Sequence, residues 1–272
     1  MSSDILQTAF EDFPPLLKEI TDPPECLYIQ GALPDASHSF LTIVGSRKMS
    51  GYASDVVQYL IEGLAGAPIS IVSGLALGVD KAANEAALAN DMHTVAVPGS
   101  GLSEKVLYPR SHIQLARRIV DSGGALLSEY PPEQQAAPWT FPKRNRIMAG
   151  MSKAVLIIEA AEKSGTLITA RLATEYNRDV LVVPASIFAD SSKGAHQFLK
   201  LGATPVTTSE DILDALSIRH EPTDTTGVQG KFTLSGVEQE AYDLLNEPME
   251  RDALIASLSC SIAEANIALS RL

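Results

Sequence analysis

The chain has 272 residues, enough for one large domain or one domain with a small satellite. Hydrophobic residues make up 45% and charged residues 20%, a globular composition that excludes an intrinsically disordered chain. The formal charge of −12 argues, taken whole, against a nucleic-acid partner, but its distribution reopens that reading: residues 1–40 hold seven acids and one base, residues 213–272 hold ten acids and four bases, and the stretch between is neutral. The acid lies in the flanks, and a local basic patch in the middle is compatible with it.

Apolar runs such as Val155–Ile158 and Val180–Val183 are far shorter than the ~20 residues of a membrane span. The opening MSSDILQTAF has neither the basic stretch nor the apolar core of a signal peptide. Cys26 and Cys260 lie far apart and fit no metal or redox spacing, so a reducing, cytoplasmic setting is expected.

In chain order, residues 1–40 read as a lead-in. Phe40–Val44 is a short apolar run, and Tyr52–Leu64 follows it with helical period. Ile69–Val72 precedes a helix through Asp80–Ala89, and Thr94–Val97 leads into Pro98-Gly99-Ser100-Gly101. Ile113–Val120 is helical and stops at Ser122-Gly123-Gly124. Ala125–Ser128, Ala154–Ile158 and Val180–Val183 read as further buried strands, with a helix over Leu167–Tyr176 between the last two and another over Ser209–Ile218. This alternation predicts an α/β, Rossmann-like parallel sheet over 41–219 with helices on both faces. Residues 220–230 form a polar linker. Residues 231–272 form a small helical region, marginal in length for an independent core.

In such sheets ligands bind beyond the carboxyl ends of the strands, and the small-residue motifs cluster there. Gly45-Ser46-Arg47 follows the first run of this alternation; glycine permits a tight turn with free amides, and arginine supplies a charge suited to phosphate, although the tripeptide alone favours a plain turn with a surface arginine. The two glycines of Ser73-Gly74-Leu-Ala-Leu-Gly78-Val-Asp80 are not the dinucleotide fingerprint; Gly74 either contacts an anion or permits close packing, and Asp80 reads as a helix-start residue. Phe141-Pro-Lys143-Arg144-Asn145-Arg146, two residues after Trp139, combines phosphate-clamping cations with aromatic faces on which bases stack, a single-strand binding strip carried on a loop. Ser164-Gly165-Thr166 and Ser191-Ser192-Lys193-Gly194 each open a helix, where they cap it or hold a phosphate.

Catalytic constellations do not emerge. The five histidines show no ligand spacing, and neither a Walker A sequence nor a G-x-S-x-G elbow occurs. Glu129 and Glu159 end strands at the crevice, two carboxylates without a nucleophile or metal.

Taken in order, the segments LTIVGSRKMSGYA, IVSGLALGVDKAAN, TVAVPGSGLSEKVLYP, GALLSEYPP, FPKRNRIMAGMSKAVLIIEA, SGTLITARLATEYNRDVLVVP and KGAHQFLKLGA resemble the DprA/Smf family of DNA-processing proteins of natural transformation. The resemblance implies an extended Rossmann-type domain that binds single-stranded DNA, protects incoming strands, helps load the recombinase RecA and commonly dimerises, with no cofactor and no enzymatic role. It carries the family's pocket onto Gly45-Ser46-Arg47 and Lys143–Arg146, and a winged-helix-like tail onto 231–272, which stops at Leu272 before a β-wing. For a dimer, Phe198, Leu199, Val206, Ile212 and Leu216 are candidate contacts. Two local departures stand out: Pro138 replaces a lysine common in the family, and Val183-Pro184-Ala185 replaces a proline–glycine pair. The competing readings are a nucleotide-processing phosphoribohydrolase of the LOG type, whose motif needs a glutamate where Thr169 stands, and a protein-interaction adaptor with acidic flanks.

Overall fold

The apolar runs become strands of one nine-stranded sheet in a computed structural model that describes residues 4–219, 236–244 and 251–269. The strands are β1 (Leu6–Thr8), β2 (Leu27–Gly31), β3 (Ser39–Val44), β4 (Ile69–Ser73), β5 (Thr94–Ala96), β6 (Ala125–Ser128), β7 (Ala154–Ile157), β8 (Asp179–Val182) and β9 (Thr204–Pro205). They lie side by side in the order β1-β2-β6-β5-β4-β3-β7-β8-β9. From β6 to β9 every pairing is parallel, as the alternation predicts. The lead-in corrects the expectation of a wholly parallel sheet confined to 41–219. It supplies β1 and β2, which pair antiparallel with each other and with β6.

The helices α1 (Pro15–Lys18), α2 (Gly51–Glu62), α3 (Val79–Ala89), α4 (Ile113–Asp121), α5 (Thr140–Met151), α6 (Thr166–Glu175), α7 (Lys193–Lys200) and α8 (Ser209–Ala215) cover both faces. Side chains alternate across the pleat, so one strand feeds two cores. Leu41 and Ile43 join α2, α3 and α8 on one face, whereas Val44, Val72, Val155 and Ile157 join α1, α5 and α6 on the other. The chain runs outward from β3 through β4 and β5 to β6, then returns to β7 beside β3 and runs outward the other way. The reversal makes the carboxyl ends of β3 and β7 the point where connections diverge to opposite sides and open a crevice.

The residues expected to form a dimer surface lie inside instead. Phe198, Val206, Ile212 and Leu216 are buried in the two cores, and Leu199 packs against one of them; they close the sheet's edge. Residues 221–272 form a separate unit. Its described part is three helices, α9 (Gly236–Leu244), α10 (Arg251–Ser257) and α11 (Ile262–Leu269), around Ala241, Leu258 and Ala265. The linker assigned to 220–230 lies outside the described residues. Among the described residues no helix is long and apolar enough to cross a membrane.

The lead-in packs on α5, the helix that carries the FPKRNR string. A Cβ added to Gly150 would stand 2.8 Å from Ile20 Cγ2 and 3.1 Å from Leu17 Cδ1, so α1 sits directly on its backbone. Leu17 is fully buried there. Leu17→Ala is expected to lower stability by about 2–5 kcal/mol in urea unfolding; a loss within error would mean that the lead-in is not part of the cooperative fold.

Candidate nucleic-acid interface

Two glycines set the floor of the crevice. Gly78 has φ +74°, and a side chain there would strike the backbone carbonyls of Ser46 and Arg47. Gly45 lies so close to α3 that an added Cβ would be 2.5 Å from Val79 Cγ2. The Val79 amide donates to the Ser46 carbonyl at 3.1 Å, locking the loop after β3 onto the start of α3. From the other side, the Thr166 hydroxyl donates to the Gly45 carbonyl at 3.0 Å and ties the start of α6 to the same loop.

The result is a cleft of about 680 Å³. Gly45, Ser46, Arg47, Phe141, Arg144, Asn145, Ser164, Gly165 and Thr166 all line it, which brings together nine of the residues singled out from sequence. Among the described residues, the backbone amides of Ser46, Arg47 and Gly165 have no hydrogen-bond acceptor. Unpaired amides at a loop and a helix N-terminus form a cradle for an anion. Lys48, exposed on the cleft wall, was missed in the sequence reading; its only signal there was its place next to Arg47.

The basic string is helix rather than loop, and the helix sorts its cations. Successive residues on a helix point in different directions, so Arg144 and Lys143 cannot share one strip. Arg144 is buried. Its Nη1 donates to the carbonyls of Gly74, at 2.6 Å, and Val97, and its Nε donates to Asn145 Oδ1 at 3.1 Å. Gly74 has no side chain because the Arg144 guanidinium and the Asp80 carboxylate occupy the space a Cβ would take. Packing, rather than a place in the cleft wall, is what Gly74 provides. Asp80 is not the cap of α3. Its Oδ2 accepts from the Gly74 and Ala76 amides at 3.1 and 3.4 Å. Burial raises the Asp80 carboxyl against the opposing pull of Arg144, and burial lowers the Arg144 guanidinium to about 10, which leaves it charged at neutral pH.

Lys143 and Arg146 face away from the cleft. Both reach Glu129, Lys143 at 3.4 Å and Arg146 through its Nη2, and Arg146 also donates to the Asp22 carbonyl at 2.6 Å. Arg146 holds the lead-in and Lys143 pairs with Glu129, so neither extends a phosphate strip. Trp139 is exposed but packs edge-on against Tyr130 with ring centroids 5.8 Å apart, outside the cleft lining. Phe141 is the aromatic inside the cleft, with the Arg47 guanidinium 5.3 Å above its ring and Tyr108 against its edge. Lys193 pairs with Asp190 at 2.6 Å on the surface and does not line the cleft. Thr169 is buried in the cleft wall where the phosphoribohydrolase reading requires a glutamate.

A family model described as DNA recombination-mediator protein A matches residues 4–217. The chain belongs to this family. It is 44% identical over 207 residues to protein Smf of Escherichia coli, covering 76% of this chain and 54% of that protein. It is 41% identical over 197 residues to the DNA processing protein DprA of Streptococcus pneumoniae, covering 72% and 68%. The chain therefore spans about half the length of its Escherichia coli relative. Among solved structures of family members, that of the Streptococcus pneumoniae protein matches with TM-score 0.72 and 38% identity over 77% of this chain and 74% of that one. The DNA processing protein A of Helicobacter pylori, solved for its single-stranded DNA binding mode, matches with TM-score 0.68 and 29% identity over 80% and 98%.

The two cleft arginines differ in what they hold. Removing Arg144 leaves buried carbonyls and a buried carboxylate without their cation, so Arg144→Ala is expected to cost about 3–5 kcal/mol in chemical denaturation. Exposed Arg47 touches only the Phe141 ring, and Arg47→Ala should leave the unfolding midpoint where it was. Equal effects of the two substitutions would contradict this division.

Proposed function

We propose that the cleft binds the backbone of single-stranded DNA and that the chain acts as a strand-binding recombination mediator in natural transformation. The observation that carries this reading is the convergence, at the point where the strand order reverses, of three unpaired amides, the cations Arg47, Lys48 and Arg144, and the Phe141 ring. The amides and cations suit a phosphate without reading sequence, and the ring suits an unstacked base. Arg47 lies exposed over the Phe141 ring, which places its charge beside the aromatic face. The Helicobacter pylori relative, solved for its single-stranded DNA binding mode, supports the same choice of ligand. Delivery of the bound strand to a RecA-type recombinase, assembly as a homodimer and a cytoplasmic, non-enzymatic role follow from the family resemblance and belong to this proposal. A dimer must use residues other than the buried edge residues first considered.

Single strands should bind more tightly than a duplex of equal length, because a duplex does not offer unstacked bases. Arg47→Ala should weaken binding to every sequence alike and reduce the salt slope of log K by about 0.7. Arg47→Lys should recover part of the loss, since a point charge lacks the two-pronged geometry of the guanidinium. Fluorescence anisotropy with labelled oligonucleotides over a salt series reads both. An unchanged affinity and slope in Arg47→Ala would remove the cleft assignment. Light scattering is expected to report twice the 29.0 kDa chain mass, and the monomer mass at micromolar concentration would remove the dimer.

A further inference from the structure

A second recess, of about 640 Å³, opens beside the cleft and is not used by the reading above. The two share their walls along the chain. Ser50 and Tyr52 follow directly on the Arg47–Lys48 loop, and Glu159 precedes Ser164 on the segment between β7 and α6. The third wall is the connection from β8 to α7, residues 184–192.

Its chemistry is that of a base site rather than a phosphate site. The lining includes no lysine or arginine, and the one charged group is Glu159. That residue is only 5% exposed. Its Oε2 accepts from the Ser50 amide at 3.1 Å; among the described residues Oε1 has no hydrogen-bond partner and is not sealed from solvent. Phe188, on the connection that forms the third wall, is 90% exposed and does not line the recess. Its loop is held by the Ser192 hydroxyl, which donates to the Ser186 carbonyl at 3.0 Å, and by the Phe188 amide on Ser186 Oγ at 3.3 Å. Tyr52 is half-exposed on the opposite side and fixed by its hydroxyl on the Pro184 carbonyl at 2.7 Å.

We infer that this recess is a base-reading subsite for the same strand and that it selects guanine. The inference rests on the proposed strand-binding cleft. Tyr52, which lines the recess and is half-exposed, offers an aromatic face for stacking. A free carboxylate oxygen only accepts hydrogen bonds. Guanine presents N1–H and the N2 amino group side by side, two donors toward one carboxylate. Adenine and cytosine place a ring-nitrogen acceptor next to their amino group, and thymine flanks its single N–H with two carbonyls, so each of these sets an acceptor against Glu159.

The test uses the full chain and 20-nucleotide oligomers of thymine in which every fifth base is guanine, inosine or adenine, a spacing that avoids four-stranded guanine structures. Wild type is expected to bind the guanine oligomer about five- to tenfold more tightly than the adenine or thymine oligomers, the lower end of the range for a two-donor contact, with inosine between. Glu159→Gln retains a carbonyl for the Ser50 amide but sets an amino group against the base; it should still bind the thymine oligomer and lose the guanine preference. Tyr52→Ala should weaken binding to all oligomers. Equal wild-type affinity for guanine and adenine oligomers, or a preference that survives Glu159→Gln, overturns the inference. If the thymine oligomer binds and responds to Arg47→Ala while guanine adds nothing, this subsite falls and the cleft stands. If no oligomer binds, both fall.

Discussion

The buried guanidinium of Arg144 is the contact on which the rest of the candidate site depends. A charge in the interior is tolerated only when its hydrogen bonds are met and an opposite charge is near. Here the carbonyls at the ends of β4 and β5 meet it, and the Asp80 carboxylate lies against the same glycine. One side chain on α5 thereby clamps two strand ends and the start of α3. The loop after β3 is in turn locked onto α3 through Val79, so the position of Arg47 and of the unpaired amides follows from where Arg144 sits. The floor of the cleft is tied by these contacts, and the cations Arg47 and Lys48 stand exposed on its wall.

The lead-in belongs to the same mechanical unit. Its α1 covers the outer side of α5, Arg146 holds the Asp22 carbonyl, and the Tyr176 hydroxyl donates to Asp22 Oδ1 at 2.8 Å. The acidic flank therefore has a structural use near the middle domain: Asp22, together with Glu129 of the middle stretch, neutralises cations that would otherwise extend the basic string outward. This explains how a chain of net −12 presents a confined positive cleft. The field is local because the surplus cations of the FPKRNR string are already paired, and screening at physiological salt limits the reach of the remaining acid to about 8 Å.

The two recesses at the carboxyl edge divide a strand's chemistry between them. The first offers amides and cations and suits phosphate; the second offers the Tyr52 ring and one carboxylate and suits a base. They are linked by the two segments that lead into α2 and α6. In the proposed reading, general affinity comes from the first and any preference among bases from the second.

The strands from β3 to β8, the helices between them and the glycine loops at the strand ends were legible in the sequence by itself. Buried parallel strands are continuous apolar runs, helices show a 3.6-residue period, and both signals are local. Gly45-Ser46-Arg47 and Ser164-Gly165-Thr166 could be placed at the crevice on the same grounds. Only the tertiary structure decided which cations are available. In FPKRNR the four polar residues look equivalent along the chain, but a helix distributes them around its axis, and partners more than forty residues away in sequence, Gly74, Val97 and Asp22, claim two of the three charges. The antiparallel strands of the lead-in were hidden for a related reason: β1 has three residues, two of them exposed, and β2 is fully buried only at Leu27, so their pairing rests on backbone hydrogen bonds to a distant strand that no local pattern records. The edge residues Phe198, Val206, Ile212 and Leu216 read equally well as interface or core, because an apolar side chain carries no mark of what will cover it. The covering of that edge by the protein's own helices was settled only by the packing.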